Sequence, residues 1–130
     1  MDAEDIRRKV REDFKFLFNE VWGVLLYGSV AKEENDERSD IDICVVAPSV
    51  DNKIRFSRWI LSNIRDERYD VRVFELMPLY LKREVFEYGE VVYARDIYEL
   101  YEYFYTFRKL WEDQKQRQML TKEETLRLFT

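Results

Sequence analysis

The chain has 130 residues, 46% hydrophobic and 16% aromatic, enough to bury one core and too apolar for a disordered chain. Lys and Arg number 22 against 27 Asp and Glu; this net charge of −5, with no long basic run, argues against a dedicated nucleic-acid surface. Histidine is absent and Cys44 is the single cysteine, which excludes Ser-His-Asp and Cys-His nucleophile systems, histidine zinc sites and an internal disulfide.

Residues 3–19 read as an amphipathic helix, with Ile6, Val10, Phe14 and Leu17 recurring at helical spacing up to Val21. "VWGVLLY" (21–27) is a short apolar run ended by Gly28 and reads as a buried strand. "AKEENDERS" is polar, a loop or a brief helix. "IDICVVA" (41–47), β-branched and closed by Pro48, predicts a second strand. Asp51 is placed to cap a helix over 52–65, with Ile54, Phe56, Trp59, Ile60 and Ile64 as candidate core positions. "YDVRVFEL" (69–76) alternates and predicts a third strand. Pro78 opens another helix, Gly89 is placed to end it, and "VVYA" (91–94) reads as a short edge strand.

This order predicts an α/β (α+β) fold, a small mixed sheet of about four strands with helices packed on one face. No apolar stretch approaches ~18 residues and "MDAEDIRRKVRED" lacks a signal-peptide core, so a cytoplasmic protein with no membrane segment is expected.

From Asp96 the chain reads as helical, with Ile97, Leu100, Tyr101, Phe104, Phe107 and Trp111 on one apolar stripe. Thr121 and Glu124 form a candidate capping box for a last helix over 122–129. Tyr98, Tyr103 and Tyr105 lie off the stripe, an aromatic excess that suits an interface, either a homodimer or a helical partner, while packing on the sheet is the plainer role. We therefore expect a domain over 1–95 and a C-terminal helical extension over 96–130.

Asp40 and Asp42 stand two apart on the second predicted strand, so both carboxylates leave one face. Unpaired charge in an apolar run costs several kcal/mol, by about the penalty for burying an uncompensated ion. Lys, Arg or a divalent cation would offset it, and a salt bridge to Arg38 is the bland alternative. Paired carboxylates on a rigid strand suit Mg²⁺, which favours one or two carboxylates plus phosphate oxygens. Asp70, starting the third strand, reaches the same end of the sheet if the second and third strands are neighbours. Three such aspartates would hold one or two Mg²⁺ ions for in-line phosphoryl or nucleotidyl transfer. Glu75, on the other face of its strand, is the weaker third ligand. Gly28 lets backbone approach a phosphate closely, and the hydroxyl of Ser29 can add a hydrogen bond. Cys44 reads as a small buried residue and Lys32 as a solvated loop lysine.

Gly28-Ser29, ten intervening residues, then Asp40-x-Asp42 resembles the signature of the DNA polymerase β-type nucleotidyltransferases, in particular their minimal nucleotidyltransferase (MNT) branch. The likeness runs over roughly residues 5–95, through Asp70, Pro78 and Gly89. It implies catalytic, metal-binding roles for Asp40 and Asp42. It implies a third acid at Asp70 that helps activate the acceptor hydroxyl, and a nucleoside triphosphate bound at Gly28 and Ser29. The implied reaction moves a nucleoside monophosphate, AMP from ATP, to a hydroxyl with Mg²⁺ and release of pyrophosphate. The resemblance also implies a helical HEPN-type toxin as partner, adenylylated on tyrosine by the MNT antitoxin. Where the family often has an Arg-Ala-Arg-Gly-like run after Gly-Ser, this chain has Val30-Ala31-Lys32-Glu33, keeping one positive charge. Two other readings stay open: a catalytically idle module that binds a helical partner, and an enzyme modifying a small hydroxyl compound.

Overall fold

A computed structural model describes residues 2–32 and 39–128. Its elements in chain order are α1 (Ala3–Phe14), β1 (Gly23–Tyr27), α2 (Gly28–Ala31), β2 (Ile41–Val46), α3 (Lys53–Asn63), β3 (Tyr69–Val73), α4 (Leu79–Tyr88), β4 (Glu90–Ala94) and α5 (Ile97–Leu128). The four strands form one mixed sheet in the order β3-β2-β1-β4, antiparallel except for the parallel pair β2 and β3. β4 is an edge strand, as expected.

α1 begins where the Asp2 carboxylate accepts a hydrogen bond from the Asp5 N–H at 2.9 Å, and Glu4 and Asp5 add negative charge to its first turn. Ile6, Val10 and Phe14 bury one stripe of it. The predicted 3–19 helix tightens after Phe14 into a 3₁₀ turn, Lys15–Leu17, which keeps Leu17 buried. α3 is capped by Asn52, not by Asp51: the Asn52 side-chain oxygen accepts from the Arg55 N–H at 3.0 Å. Of its candidate core residues Phe56 and Ile60 are buried and Ile64 partly so, whereas Ile54 and Trp59 are exposed. β3 ends at Val73, and Phe74–Leu76 turns as a 3₁₀ helix. Pro78 precedes α4 and Gly89 ends it. The Gly89 N–H bonds to the Val85 carbonyl at 2.8 Å, and an added Cβ would lie 2.3 Å from that oxygen.

Helices cover both faces of the sheet, not one. On one face α1 and α3 pack on Val24, Leu26, Ile41, Ile43 and Val45. On the other, α4 and α5 pack on Leu25, Tyr27, Cys44 and Val46. Strand alternation assigns these two sets, and β1 and β2, buried on both sides, are apolar nearly throughout.

The tail is a single helix. α5 runs 32 residues, about 48 Å at 1.5 Å per residue. Thr121 does not cap a new helix; its hydroxyl donates to the Arg117 carbonyl one turn back at 2.9 Å, an interior arrangement. Leu100 and Phe104 are buried, with Ile97, Phe107 and Trp111 partly so. Tyr101, placed on the stripe by spacing, is exposed. Tyr103, placed off it, packs on Phe74 and donates to Glu75 at 2.8 Å. Tyr98 and Tyr105 are exposed.

Candidate active site

β2 carries Asp42 at its second position, where strand pairing sets it opposite Tyr27 on β1 and beside Asp70 on β3. Paired residues share a face, so Asp42 and Asp70 both leave the α4/α5 side of the sheet. Asp40 precedes β2 and is exposed. The half-buried carboxyl of Asp42 is pushed up from its ordinary value, first by burial, then by the negative charges of Asp70 and Asp40; Arg72 acts against them. All three predicted aspartates thus share one electrostatic neighbourhood. Among the described residues no three acidic side chains form a ready-made metal cage.

Gly28 closes the site from the β1 side. Its φ is +70°, and a Cβ there would lie 2.2 Å from Asp42 Oδ2. Only glycine combines that left-handed backbone with room for the carboxylate. Ser29 follows, half-buried, in α2, whose Val30 is buried. The predicted loop lysine, Lys32, is tied down: its ammonium pairs with Glu84 at 3.1 Å and lies 4.9 Å from the Tyr88 ring centroid. Arg38 and Glu33 lie outside the described residues.

Two neighbours were not singled out from the sequence. Tyr27 is 5% exposed, and its phenol is raised above the ordinary range by burial first, then by its neighbours Cys44 and Asp42. Arg72 stands on the same face two residues after Asp70, its Nε 3.8 Å from Asp70 Oδ2. Alternation on β3 carries the signal for Arg72; for Tyr27 the signal is its place immediately before Gly28.

Glu75 is kept from the site by structural bonds, accepting from the Ala47 N–H at 2.9 Å and the Tyr103 hydroxyl at 2.8 Å. Cys44 is wholly buried, its thiol pushed up by burial and then by Glu75, with Met77 Sδ 3.9 Å from its sulfur. It is a packing residue, as its lack of a histidine partner suggests.

The arrangement has the donor set of a hard-cation site: strand-borne carboxylates that repel one another, beside a turn where backbone without a side chain can approach a ligand. A nucleotidyltransferase domain model matches residues 7–92. MJ1547 of Methanocaldococcus jannaschii, described as a candidate protein adenylyltransferase, is 43% identical over 99 residues, 76% of this chain and 76% of that protein. A toxin–antitoxin solved with AMP-PNP shares the fold with a TM-score of 0.65 at 20% identity, over 90% of this chain and 96% of the other. The complex of tri-AMPylated Shewanella oneidensis HEPN toxin with MNT antitoxin gives 0.63 at 18% identity, over 93% and 97%. At these identities the two solved structures speak for the fold alone.

Proposed function

The chain belongs to the nucleotidyltransferase domain family, and from that premise we propose that it transfers AMP from ATP to a hydroxyl of a partner protein. The observation that carries this reading is the convergence of Asp42, Asp70 and Asp40 beside the side-chain-free turn at Gly28. Asp40 and Asp42 would hold Mg²⁺, with Asp70 contributing from the neighbouring strand. Burial first, and then repulsion by Asp70 and Asp40, raise Asp42, and a divalent ion would relieve both by supplying positive charge. Bound Mg²⁺ supplies charge neutralisation at the phosphates. Gly28 and Ser29 would bind the triphosphate through backbone N–H groups and the Ser29 hydroxyl. Asp70 takes the acceptor proton as the acceptor oxygen bonds to the α-phosphorus and the bond to the departing pyrophosphate breaks.

A helical HEPN-type toxin is the proposed acceptor and partner, with the chain acting as its antitoxin in the cytoplasm. Support comes from the adenylyltransferase relative and from the toxin–antitoxin assemblies that share the fold. We assign residues 1–95 to the transfer domain and 96–130 to a helical extension. The matched span of 7–92 and the packing of α5 on α4 and the sheet fit that division.

The test uses ATP labelled at the α-phosphate, Mg²⁺ and a lysate. A protein band labelled by wild type and absent with an Asp40→Asn/Asp42→Asn double variant is expected; equal labelling by both sinks the assignment. A second reading, a binding module without transfer, is favoured by the Lys32–Glu84 pair, which engages the cation nearest the Gly28-Ser29 turn in sequence. Capture of a helical partner with no labelling under any NTP would select it.

A further inference from the structure

Arg72 and Asp70 share the site's face of β3, and the separation of Arg72 Nε from Asp70 Oδ2, 3.8 Å, makes an ion pair without a hydrogen bond. The two side chains are 49% and 42% exposed, so the pair is loosely held. In the β2–β3 register Arg72 stands beside Cys44 and Asp70 beside Asp42, so the guanidinium shares one face with both aspartates. Among the described residues two other bases are engaged: Arg68 donates to the Ser39 carbonyl at 3.1 and 3.3 Å, and Lys32 pairs with Glu84.

We propose that Arg72 is a resident counter-cation of the carboxylate site. Its guanidinium supplies the positive charge beside Asp70 and Asp42 that a divalent ion takes over. It therefore competes with that ion, and makes ion entry depend on nucleotide phosphates arriving with it. The inference rests on the proposed reading of these aspartates as metal-holding.

A guanidinium suits this duty. It stays charged at any physiological pH, has only donors, and can leave on a long stem when a stronger cation arrives. Being monovalent, it offsets carboxylate repulsion without joining carboxylates to phosphates, which a divalent ion does. A competing fixed charge raises the ion concentration needed by the nucleotide-free protein. A triphosphate, bringing its own negative charge, restores the ion's advantage. Arg72 is thus a positioning residue that acts through Asp70 and Asp42.

The experiment is Mn²⁺ binding to the full chain without nucleotide, followed by the electron paramagnetic resonance signal of free Mn²⁺. Arg72→Gln and Arg72→Met should each bind Mn²⁺ about threefold to tenfold more tightly than wild type, the scale of one screened, half-exposed charge. Arg72→Lys should stay near wild type and Asp42→Asn should bind weakly. Loss of a merely structural arginine moves the first two the other way. Unchanged or weaker binding in the folded Gln or Met variant, with Asp42→Asn still impaired, overturns the counter-cation role and leaves the metal-holding reading standing. Full Mn²⁺ binding by Asp42→Asn overturns that reading and the inference together.

Discussion

Tyr69 and Asp70 are consecutive on β3 and open onto opposite faces of the sheet, into two charged clusters built on different terms. On the Tyr69 face, Lys9 donates to Asp13 at 2.8 Å, Asp66 at 2.7 Å and the Tyr69 hydroxyl at 3.1 Å, and Tyr69 donates to Asp13 at 2.6 Å. Burial works against the Lys9 charge, yet its hydrogen bonds to Asp13, Asp66 and Tyr69 outweigh that and raise it. On the Asp70 face, the described residues set mutually repelling carboxylates against one loosely paired arginine. The first cluster ties α1 to the start of β3 and is electrostatically satisfied. Among the described residues, the second is left short of positive charge. A satisfied cluster holds a fold together, whereas an unsatisfied one on a rigid strand is a place for a ligand to supply what is missing.

The largest expected effect breaks the comparison on the Asp70 side. On the proposed function, Asp42→Asn should cost about a thousandfold or more in AMP transfer, the scale of removing a carboxylate that would hold a metal. Stability should be unchanged or slightly higher, because the substitution removes a repelled, half-buried charge. Labelling and a thermal melt on the same preparation check both halves. A stability loss comparable to the activity loss would place Asp42 with the structural cluster. Gly28→Ala comes next. It forces a strained φ and a Cβ onto the Asp42 carboxylate, so transfer should fall at least tenfold, with about 1–2 kcal/mol lost from stability.

The Tyr69 side should respond in reverse. Lys9→Met strands Asp13 and Asp66 beside each other and should cost about 1–2 kcal/mol, between the values for exposed and buried pairs. Transfer per folded molecule should stay within about twofold, as the cluster sits on the opposite face. Urea melts and activity normalised to folded protein measure the two.

Acid titration sharpens the contrast because the signs oppose. Burial favours a neutral Asp13, but hydrogen bonds from Lys9 and Tyr69 win and lower it; for Asp66 the bond from Lys9 is the largest cause and also lowers it. Their stabilisation is present above the ordinary carboxylate value of 3.8 and is lost as pH falls through their lower folded values. Asp42 is raised, so its ionisation costs stability above its folded value, and that cost is gone below 3.8. Relative to wild type, Asp13→Asn should therefore be least stable near neutrality and converge with acid. Asp42→Asn should hold its advantage near neutrality and lose it with acid. Melts from pH 7 down to about 3 read both curves; parallel curves of the same sign would erase the distinction.

The two clusters were unequally legible. Period-two alternation puts Asp42 with Cys44 and Asp70 with Arg72, and the glycine between an apolar run and a polar loop marks the turn, so the Asp70 face could be read from local spacing. It needed one non-local fact, that β2 and β3 are neighbours, which the structure supplies. The Lys9 cluster joins residues 57 and 60 apart, Asp66 and Tyr69, and no local pattern announces such contacts. The helices on both faces escaped notice for a related reason. Continuous apolar runs such as Val24 to Leu26 do not say how many faces are covered until α1 and α3 are seen against one and α4 and α5 against the other.

Caps were legible in kind and missed in place, which sets the smallest prediction. Asp51 and Asn52 both have the side chain for a cap, and backbone entry geometry decides between them for Asn52. At the other end, Thr121-x-x-Glu124 has the spacing of a capping box inside an unbroken helix, where the Thr121 hydroxyl bonds to Arg117 and the side chain is exposed. A true N-cap threonine replaced by alanine loses about 1 kcal/mol. An exposed interior threonine gains helix propensity on the same change, by up to about 0.7 kcal/mol, and gives up a back-bond that slightly bends helices. Thr121→Ala should therefore leave stability unchanged or raise it by a few tenths of a kcal/mol, with no loss of helical circular dichroism. Asn52→Ala should cost about 1 kcal/mol. A loss at Thr121 matching that at Asn52 would mean that α5 breaks near residue 121, leaving the last turns as a separate short helix.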